Sequence, residues 1–171
     1  MGKNEGPNVI VFPPVIVVAT VVLAVGLQWL MPLGLLARID LTCRTIVGGL
    51  ALLVGLLPTI AGGMTLLRHG TNVLPSRPAT ALITAGIYRW TRNPMYTGGA
   101  PGMIGIAIIF GLDWLLLLMI PSWLTLHYGV VRREEDYLER KFGDEYRRYR
   151  AQVPRYFGFA NATRTQNRNF E

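Results

Sequence analysis

The chain has 171 residues, of which 51% are hydrophobic and 16% charged, and its mean hydropathy is +0.34. That balance is too apolar for an ordinary soluble domain, so a helical integral membrane protein is the first expectation. The formal net charge of +7 then belongs mostly at a membrane surface, and no nucleic-acid-binding motif accompanies it.

In chain order, residues 15–37 and 45–67 each run without one ionisable side chain, longer than the about 20 residues that carry a helix across hydrocarbon. The first reads as a span rather than a cleaved leader: Lys3 is offset by Glu5, and the apolar run exceeds the roughly 7 to 15 residues of a signal core. The single cysteine, Cys43, cannot close an internal disulfide, and nothing near it offers metal-ligand spacing. The third apolar region, 95–131, is interrupted only by Asp113 and His127 and is too long for one crossing. A helical hairpin turning at Gly111, Leu112 and Asp113 gives two further spans, 95–111 and 114–131; one span plus a re-entrant piece is the alternative. The expected fold is all-α, a single membrane domain over 1–171 with four transmembrane helices and a cytoplasmic C-terminal helical extension.

Basic residues orient the bundle. Arg68, Arg77, Arg89 and Arg92 lie between the second and third spans, and Arg132, Arg133, Arg140 and Lys141 follow the fourth; the opposite connections carry only Arg38, Asp40, Arg44 and Asp113. Both termini are expected to be cytoplasmic. Residues 68–94 combine Pro75, Pro78, Gly70 and Gly86 with Leu82, Ile83, Ile87, Tyr88 and Trp90, so an ordered loop with a turn or two of helix is expected. A connection of this length tends to carry function.

After the fourth span, Val131, Glu135, Leu138 and Phe142 recur at helical spacing. The helix should therefore continue until Gly143 stops it, and Asp144 should cap a short second helix that Pro154 ends. Asp136 with Arg140, and Asp144 with Arg148, are supporting i,i+4 pairs. Tyr146, Tyr149 and Tyr156 suit a headgroup-level belt, and the polar stretch from Gly158 onward reads as a frayed tail.

The polar knot RNPMYTGG at 92–99 heads the third span. Asn93 and Pro94 make a good helix start, the Asn side chain capping a free backbone N–H, and Arg92 can snorkel to phosphates. Capping accounts for neither Tyr96 one turn later nor Tyr88 and Arg89 before. Glu134 and Glu135 stand where a span leaves the bilayer, and acidic groups at that depth point to function; a solvated mixed-charge face beside Arg132 and Arg133 would also explain them. Since neighbours on a helix point about 100° apart, at most one of the two should face the interior; Glu134 could point at the Tyr88 and Tyr96 segment, but helix geometry does not decide between the two. His127 and His69 have no specifying context. The glycines at 98, 99, 102 and 105 follow no strand, so they read as helix-packing glycines rather than a dinucleotide fingerprint.

Taken together, GIYRWTRNPMYTG (86–98), a helical hairpin, EEDYLERKFGDEYRRY (134–149) and VPR resemble the integral-membrane methyltransferases of the isoprenylcysteine carboxyl methyltransferase and phospholipid methyltransferase group. The resemblance covers residues 68–157. It implies use of S-adenosylmethionine (SAM) without a soluble Rossmann domain, in a pocket between the cytoplasmic ends of the last spans. Cofactor contacts then fall on Thr80, Ala81, Leu82, Ile83, Tyr88, Asn93, Pro94, Met95, Tyr96 and Glu134, with Arg92 and Glu135 as catalytic candidates and no metal. The implied methyl acceptor is hydrophobic or lipid-like, arriving sideways from the bilayer.

Two departures from the group's pattern matter. Many relatives have His where this chain has Asn93, which excludes a base there. Its carboxyl methyltransferases carry an acceptor-binding arginine where this chain has Val130, leaving Arg132 or Arg133 to substitute. Rival readings are a sterol-reductase-like enzyme using NADPH and a non-catalytic adaptor whose basic tail docks anionic lipid. The first would need a larger bundle and an extra phosphate-binding loop; the second leaves Tyr88, RNPMY and the Glu pair unexplained.

Overall fold

Apolar runs punctuated by proline, glycine and capping carboxylates fold into helices throughout the computed structural model, which describes residue 7, residues 9–74 and residues 77–156. Helices α1 (Pro13–Leu30), α2 (Leu41–Arg68), α3 (Pro94–Phe110) and α4 (Asp113–Leu126) are followed by a π-helical turn (His127–Val131), α5 (Arg132–Phe142) and α6 (Asp144–Gln152). No strand occurs among the described residues. Three helical stretches, Pro13–Leu30, Leu41–Arg68 and Asp113–Phe142, are long and apolar enough to cross a membrane, whereas α3 has 17 residues and is shorter. The expected tail from Gly158 onward lies outside the described residues.

Local chemistry sets the boundaries. The first apolar helix stops at Leu30 rather than running to residue 37, because Pro32 cannot continue it and Gly34 adopts φ +69° before a 3-10 turn at Leu36–Arg38. Asp40 starts α2 by accepting the amides of Thr42 (2.9 Å) and Cys43 (3.1 Å). The hairpin turn falls where expected: Gly111 takes φ +67° and the Leu112 amide reaches back to the Ala107 carbonyl at 2.9 Å. The helix beginning at Asp113 continues through the π turn and α5 to Phe142, and Gly143 (φ +54°) breaks it. Gly143 rather than Asp144 precedes α6, and Asp144 pairs with Arg147 at 2.6 Å instead of Arg148. No Asp136–Arg140 ion pair forms among the described residues.

Glycine brings α2 and α3 together as an antiparallel pair. A Cβ on Gly48 would lie 2.8 Å from the Gly105 carbonyl oxygen, one on Gly105 would lie 2.6 Å from that of Gly48, and one on Gly55 would lie 2.5 Å from that of Gly98. Gly62 continues the seam against the Pro94 ring, at 2.8 Å. On α2 the contacts recur every seventh residue, at 48, 55 and 62, and at the glycine pairs only the missing side chain allows backbone-to-backbone approach, the packing mode that works where lipid is as apolar as leucine. Of the expected packing glycines, 98 and 105 lie on the seam where a Cβ of their own would collide; Gly102 meets Gly55 with its backbone although its own Cβ would meet nothing within 4 Å, and Gly99 faces open space.

Polar groups fasten the end of the bundle where α3 turns into α4. The buried Asp113 carboxylate accepts the amides of Leu36 (2.8 Å) and Leu35 (3.2 Å) and the Gln28 side chain (3.3 Å). Arg44 donates to the last carbonyls of α3, Ile108 at 3.0 Å and Ile109 at 2.8 Å, satisfying acceptors that the helix leaves open. Helix α1 leans on α4 through Ala24 and Leu115 and through a Thr20–Ser122 hydroxyl contact of 2.5 Å.

The seam makes a sharp prediction. Gly55→Ala must push the helices apart and should cost about 2 kcal/mol or more, whereas Gly63→Ala, whose Cβ meets nothing within 4 Å, should be neutral or stabilising by up to about 1 kcal/mol through helix propensity. Thermal unfolding in detergent measures both; equal melting temperatures would mean the seam is loose.

Candidate active site

At the other end of the bundle, the end of α2, the loop after it, the start of α3, α5 and α6 surround one cavity. It holds about 710 Å³ of space free of protein atoms, part of it continuous with solvent, and its walls include Ile83, Tyr88, Arg92, Tyr96, Glu134 and Tyr149. The loop is ordered by its own polar side chains, with a 3-10 turn at Gly86–Arg89. Asn72 donates to the Pro78 carbonyl (2.8 Å), the Thr80 amide donates to the Thr71 hydroxyl (3.1 Å), and the Thr80 hydroxyl donates to the Gly70 carbonyl (3.2 Å). Tyr137 of α5 accepts the Ala79 amide at 3.1 Å, and Tyr149 of α6 donates to the Tyr88 carbonyl at 2.8 Å.

Two guanidinium groups converge on one carboxylate at the side of this cavity. Glu135 takes Arg155 in a fork, Nε to Oε1 at 2.9 Å and Nη2 to Oε2 at 2.6 Å, and takes Arg92 through Nη1 alone, also at 2.9 Å. The side chains of Arg92 and Glu135 are 9% and 6% exposed. Arg92 Nη1 also donates to the Tyr146 hydroxyl at 3.1 Å, while its Nε is buried without a partner among the described residues. Burial first, and then the Glu135 charge, push the Tyr146 phenol up to about 12. Burial likewise raises Tyr88 and Tyr149, so all three phenols stay protonated at neutral pH.

The segment after α6 straps this cluster shut. Arg92 N donates to the Pro154 carbonyl (2.9 Å), and the Arg155 carbonyl accepts from the Thr91 hydroxyl (2.9 Å) and from Asn93 Nδ2 (3.4 Å). Tyr156 bonds to His127 Nδ1 at 2.9 Å, and Trp123 stacks on the His127 ring with 5.1 Å between centroids.

Glu134 faces the opposite wall, where the Tyr96 hydroxyl donates to its Oε2 at 3.2 Å. Behind that wall lies a second space: an apolar groove of about 470 Å³ lined by residues of α1, α3 and α4 such as Ile16, Gly99, Met103 and Trp123. Met95 and Tyr96 line both spaces.

Ala81, Leu82, Ile83, Tyr88, Asn93, Pro94, Met95, Tyr96 and Glu134 all line the cavity, as do Arg92 and Glu135. Thr80 does not; both its polar groups are turned into the loop. Both glutamates line the cavity, against the expectation of one at most: Glu134 bonds to Tyr96 of α3 and Glu135 to Arg155 of the strap. Asn93 stands at the start of α3 without capping it, since its side chain is spent on the Arg155 carbonyl. Tyr146 and Tyr149 form no headgroup belt; they are 1% and 7% exposed, pack with Val153 and line the cavity. Their spacing with Val153 along one helix face was the available signal. Val130 is fully buried, and neither Arg132 nor Arg133 lines the cavity in its place. Thr71, Asn72 and Arg155 went unassigned, and for the first two the sequence holds no signal.

Helices long and apolar enough to cross a membrane, with a cavity carrying buried charged groups among their ends and an apolar groove beside it, define a helical membrane protein. Residues 43–145 match the phospholipid methyltransferase family, and the chain belongs to that family. Among solved structures its fold resembles that of the eukaryotic intramembrane Ras methyltransferase ICMT (isoprenylcysteine carboxyl methyltransferase), determined without a monobody: TM-score 0.58 and 24% identity over 86% of this chain and 52% of that one. An uncharacterized protein of Haemophilus influenzae is 54% identical over 33 residues, 19% of this chain and 52% of its own length. The matched part is about half the length of each relative.

The two glutamates should separate on substitution. Glu135→Ala leaves two guanidinium groups facing each other and should cost about 3 kcal/mol. Glu134→Gln, losing part of one phenol hydrogen bond, should cost about 1 kcal/mol or less. Melting temperatures of the detergent-purified variants test this, and a larger loss for Glu134→Gln would refute the assignment.

Proposed function

We propose that the protein transfers a methyl group from SAM to a hydrophobic, lipid-like acceptor at the cytoplasmic face of the membrane. One observation carries the reading: Met95 and Tyr96 line both the cavity that holds Arg92 and Glu134 and the apolar groove, and so form a wall common to the two. A water-soluble donor and a lipid-soluble acceptor can meet across that wall, each keeping to the phase that dissolves it.

The side chains present suit SAM. Arg92, with its unpartnered buried Nε, fits a carboxylate. Glu134, Tyr96 and Tyr88 offer a carboxylate and aromatic faces to an ammonium and a sulfonium. Leu82, Ile83 and Leu138 supply apolar surface for a purine. When bound, SAM supplies an electrophilic methyl carbon whose in-line displacement neutralises the sulfonium. The chain's own part is placement: holding the reactants in line within a site that excludes water. Asn93, engaged with the Arg155 carbonyl, orients the strap rather than moving a proton. With Val130 buried, the acceptor is recognised by its apolar body in the groove rather than by an arginine at that position.

This reading takes α3 as a fourth span. Its 17 residues, at about 1.5 Å each, reach roughly 26 Å, close to the about 30 Å of hydrocarbon. Exposed Arg68, Arg77, Arg89, Arg132 and Arg140 at the cavity end favour the cytoplasmic side for it, and so for both termini.

Calorimetric titration of the detergent-purified protein with SAM and S-adenosylhomocysteine tests the donor; no heat of binding at millimolar ligand would exclude it. For the acceptor, Gly99→Leu fills the groove from a position where a Cβ meets nothing within 4 Å. It should leave S-adenosylhomocysteine binding unchanged while lowering methyl transfer from labelled SAM to a membrane lipid extract by about tenfold or more. Unchanged transfer would put the acceptor elsewhere.

A further inference from the structure

Arg155 lies beyond the residues 43–145 matched to the family and does not line the cavity, yet it makes the best-formed ionic contact beside it. We propose that Arg155 is a positioning residue that keeps the charge of Arg92 available for the carboxylate of the bound cofactor, an inference that rests on the SAM reading above.

Charge and geometry both lead there. Glu135 is one anion between two cations, so the cluster carries one positive charge that it does not balance itself. The fork goes to Arg155, through both carboxylate oxygens at 2.9 and 2.6 Å, and Arg92 receives a single contact to the already shared Oε1. A planar carboxylate engaged by one guanidinium fork has no second fork to give. Tyr146, the other partner of Arg92, is a neutral phenol, and Glu134 is turned to Tyr96 on the far wall. The uncompensated charge therefore sits on the more deeply buried cation, Arg92 at 9% exposure against 33% for Arg155. Its Nε has no partner among the described residues, and Arg92 lines the cavity. Without the Arg155 side chain, Glu135 is free to turn and take Arg92 bidentately, quenching the charge that a ligand anion would meet.

The backbone of the strap separates this role from a merely structural one. Arg92 N bonds to the Pro154 carbonyl, and Thr91 and Asn93 bond to the Arg155 carbonyl, so a change of the Arg155 side chain leaves the segment's main-chain attachments in place. The test compares two ligands that differ only by a carboxylate: S-adenosylhomocysteine and its decarboxylated counterpart, which keeps the amine and the adenosine. Wild-type protein should bind the first about tenfold or more tighter. In Arg155→Ala that preference should shrink to about twofold or less, with the affinity for the decarboxylated ligand nearly unchanged, and Arg155→Lys, which restores a charge but not the fork, should recover part of it. An equal loss for both ligands, or an undiminished preference, would overturn the proposal. If Arg155→Ala does not fold, Arg155→Gln carries the same comparison with the same outcomes. Failure of the wild-type protein to bind either ligand would instead overturn the SAM reading itself.

Discussion

One carboxylate holds together the end of the molecule where the chemistry is concentrated. Glu135 joins Arg92, just ahead of α3, to Arg155, after α6, and in doing so ties together three stretches far apart in sequence. Burying such a group is expensive unless it is fully paired, and replacing a buried ion cluster by apolar residues is often no less stable. What an ion cluster supplies is directionality. Two guanidinium groups can approach one carboxylate in few ways, so the strap and the loop are held in one relation to α5, and the hydrogen bonds of Thr91, Asn93 and Tyr149 form only when that relation is met.

The membrane-embedded part is built on a different economy. Hydrophobic burial does not distinguish one helix pairing from another in lipid, and α2 and α3 associate through close approach at Gly48, Gly55, Gly98 and Gly105. That contact fixes where α3 begins, with Pro94 seated on Gly62, and so where Asn93, Met95 and Tyr96 stand. The far end is pinned by Asp113 and Arg44 acting on backbone groups. Position is thus passed from a glycine seam to a helix start, and from the helix start to the cavity wall.

Much of this could be read from residue order alone. Apolar runs marked the long helices and Gly111 and Gly143 marked the breaks, while RNPMY and the Glu doublet pointed to a shared cavity only through the family resemblance they carry together. What could not be read depended on competition between partners. Asn93 is a good cap by type, but the Arg155 carbonyl, 62 residues away in sequence, claims its side chain. Thr80 sits among lining residues, yet Thr71 and Gly70 claim both its polar groups. Tyr146 and Tyr149 looked interfacial because tyrosine is amphipathic; the Arg92 side chain and the Tyr88 carbonyl give their hydroxyls buried partners. The angle between neighbours on a helix admits one glutamate to a single facing element, but Tyr96 of α3 and Arg155 of the strap approach α5 separately and each takes one.

The π turn at His127–Val131 has a consequence for how such a helix can vary. A π turn takes up about one residue more than an α turn, which sets back everything beyond it by about 100° relative to an unbroken helix. The lipid-level face of α4 and the cavity-level face of α5 therefore lie on one continuous rod but do not share one phase. A rod with such a joint can change its side chains or its tilt on the membrane side while the clocking of Glu134 and Glu135 is retained. The two halves of the stretch Asp113–Phe142 are then free to answer to separate demands, bilayer thickness on one side and ligand geometry on the other.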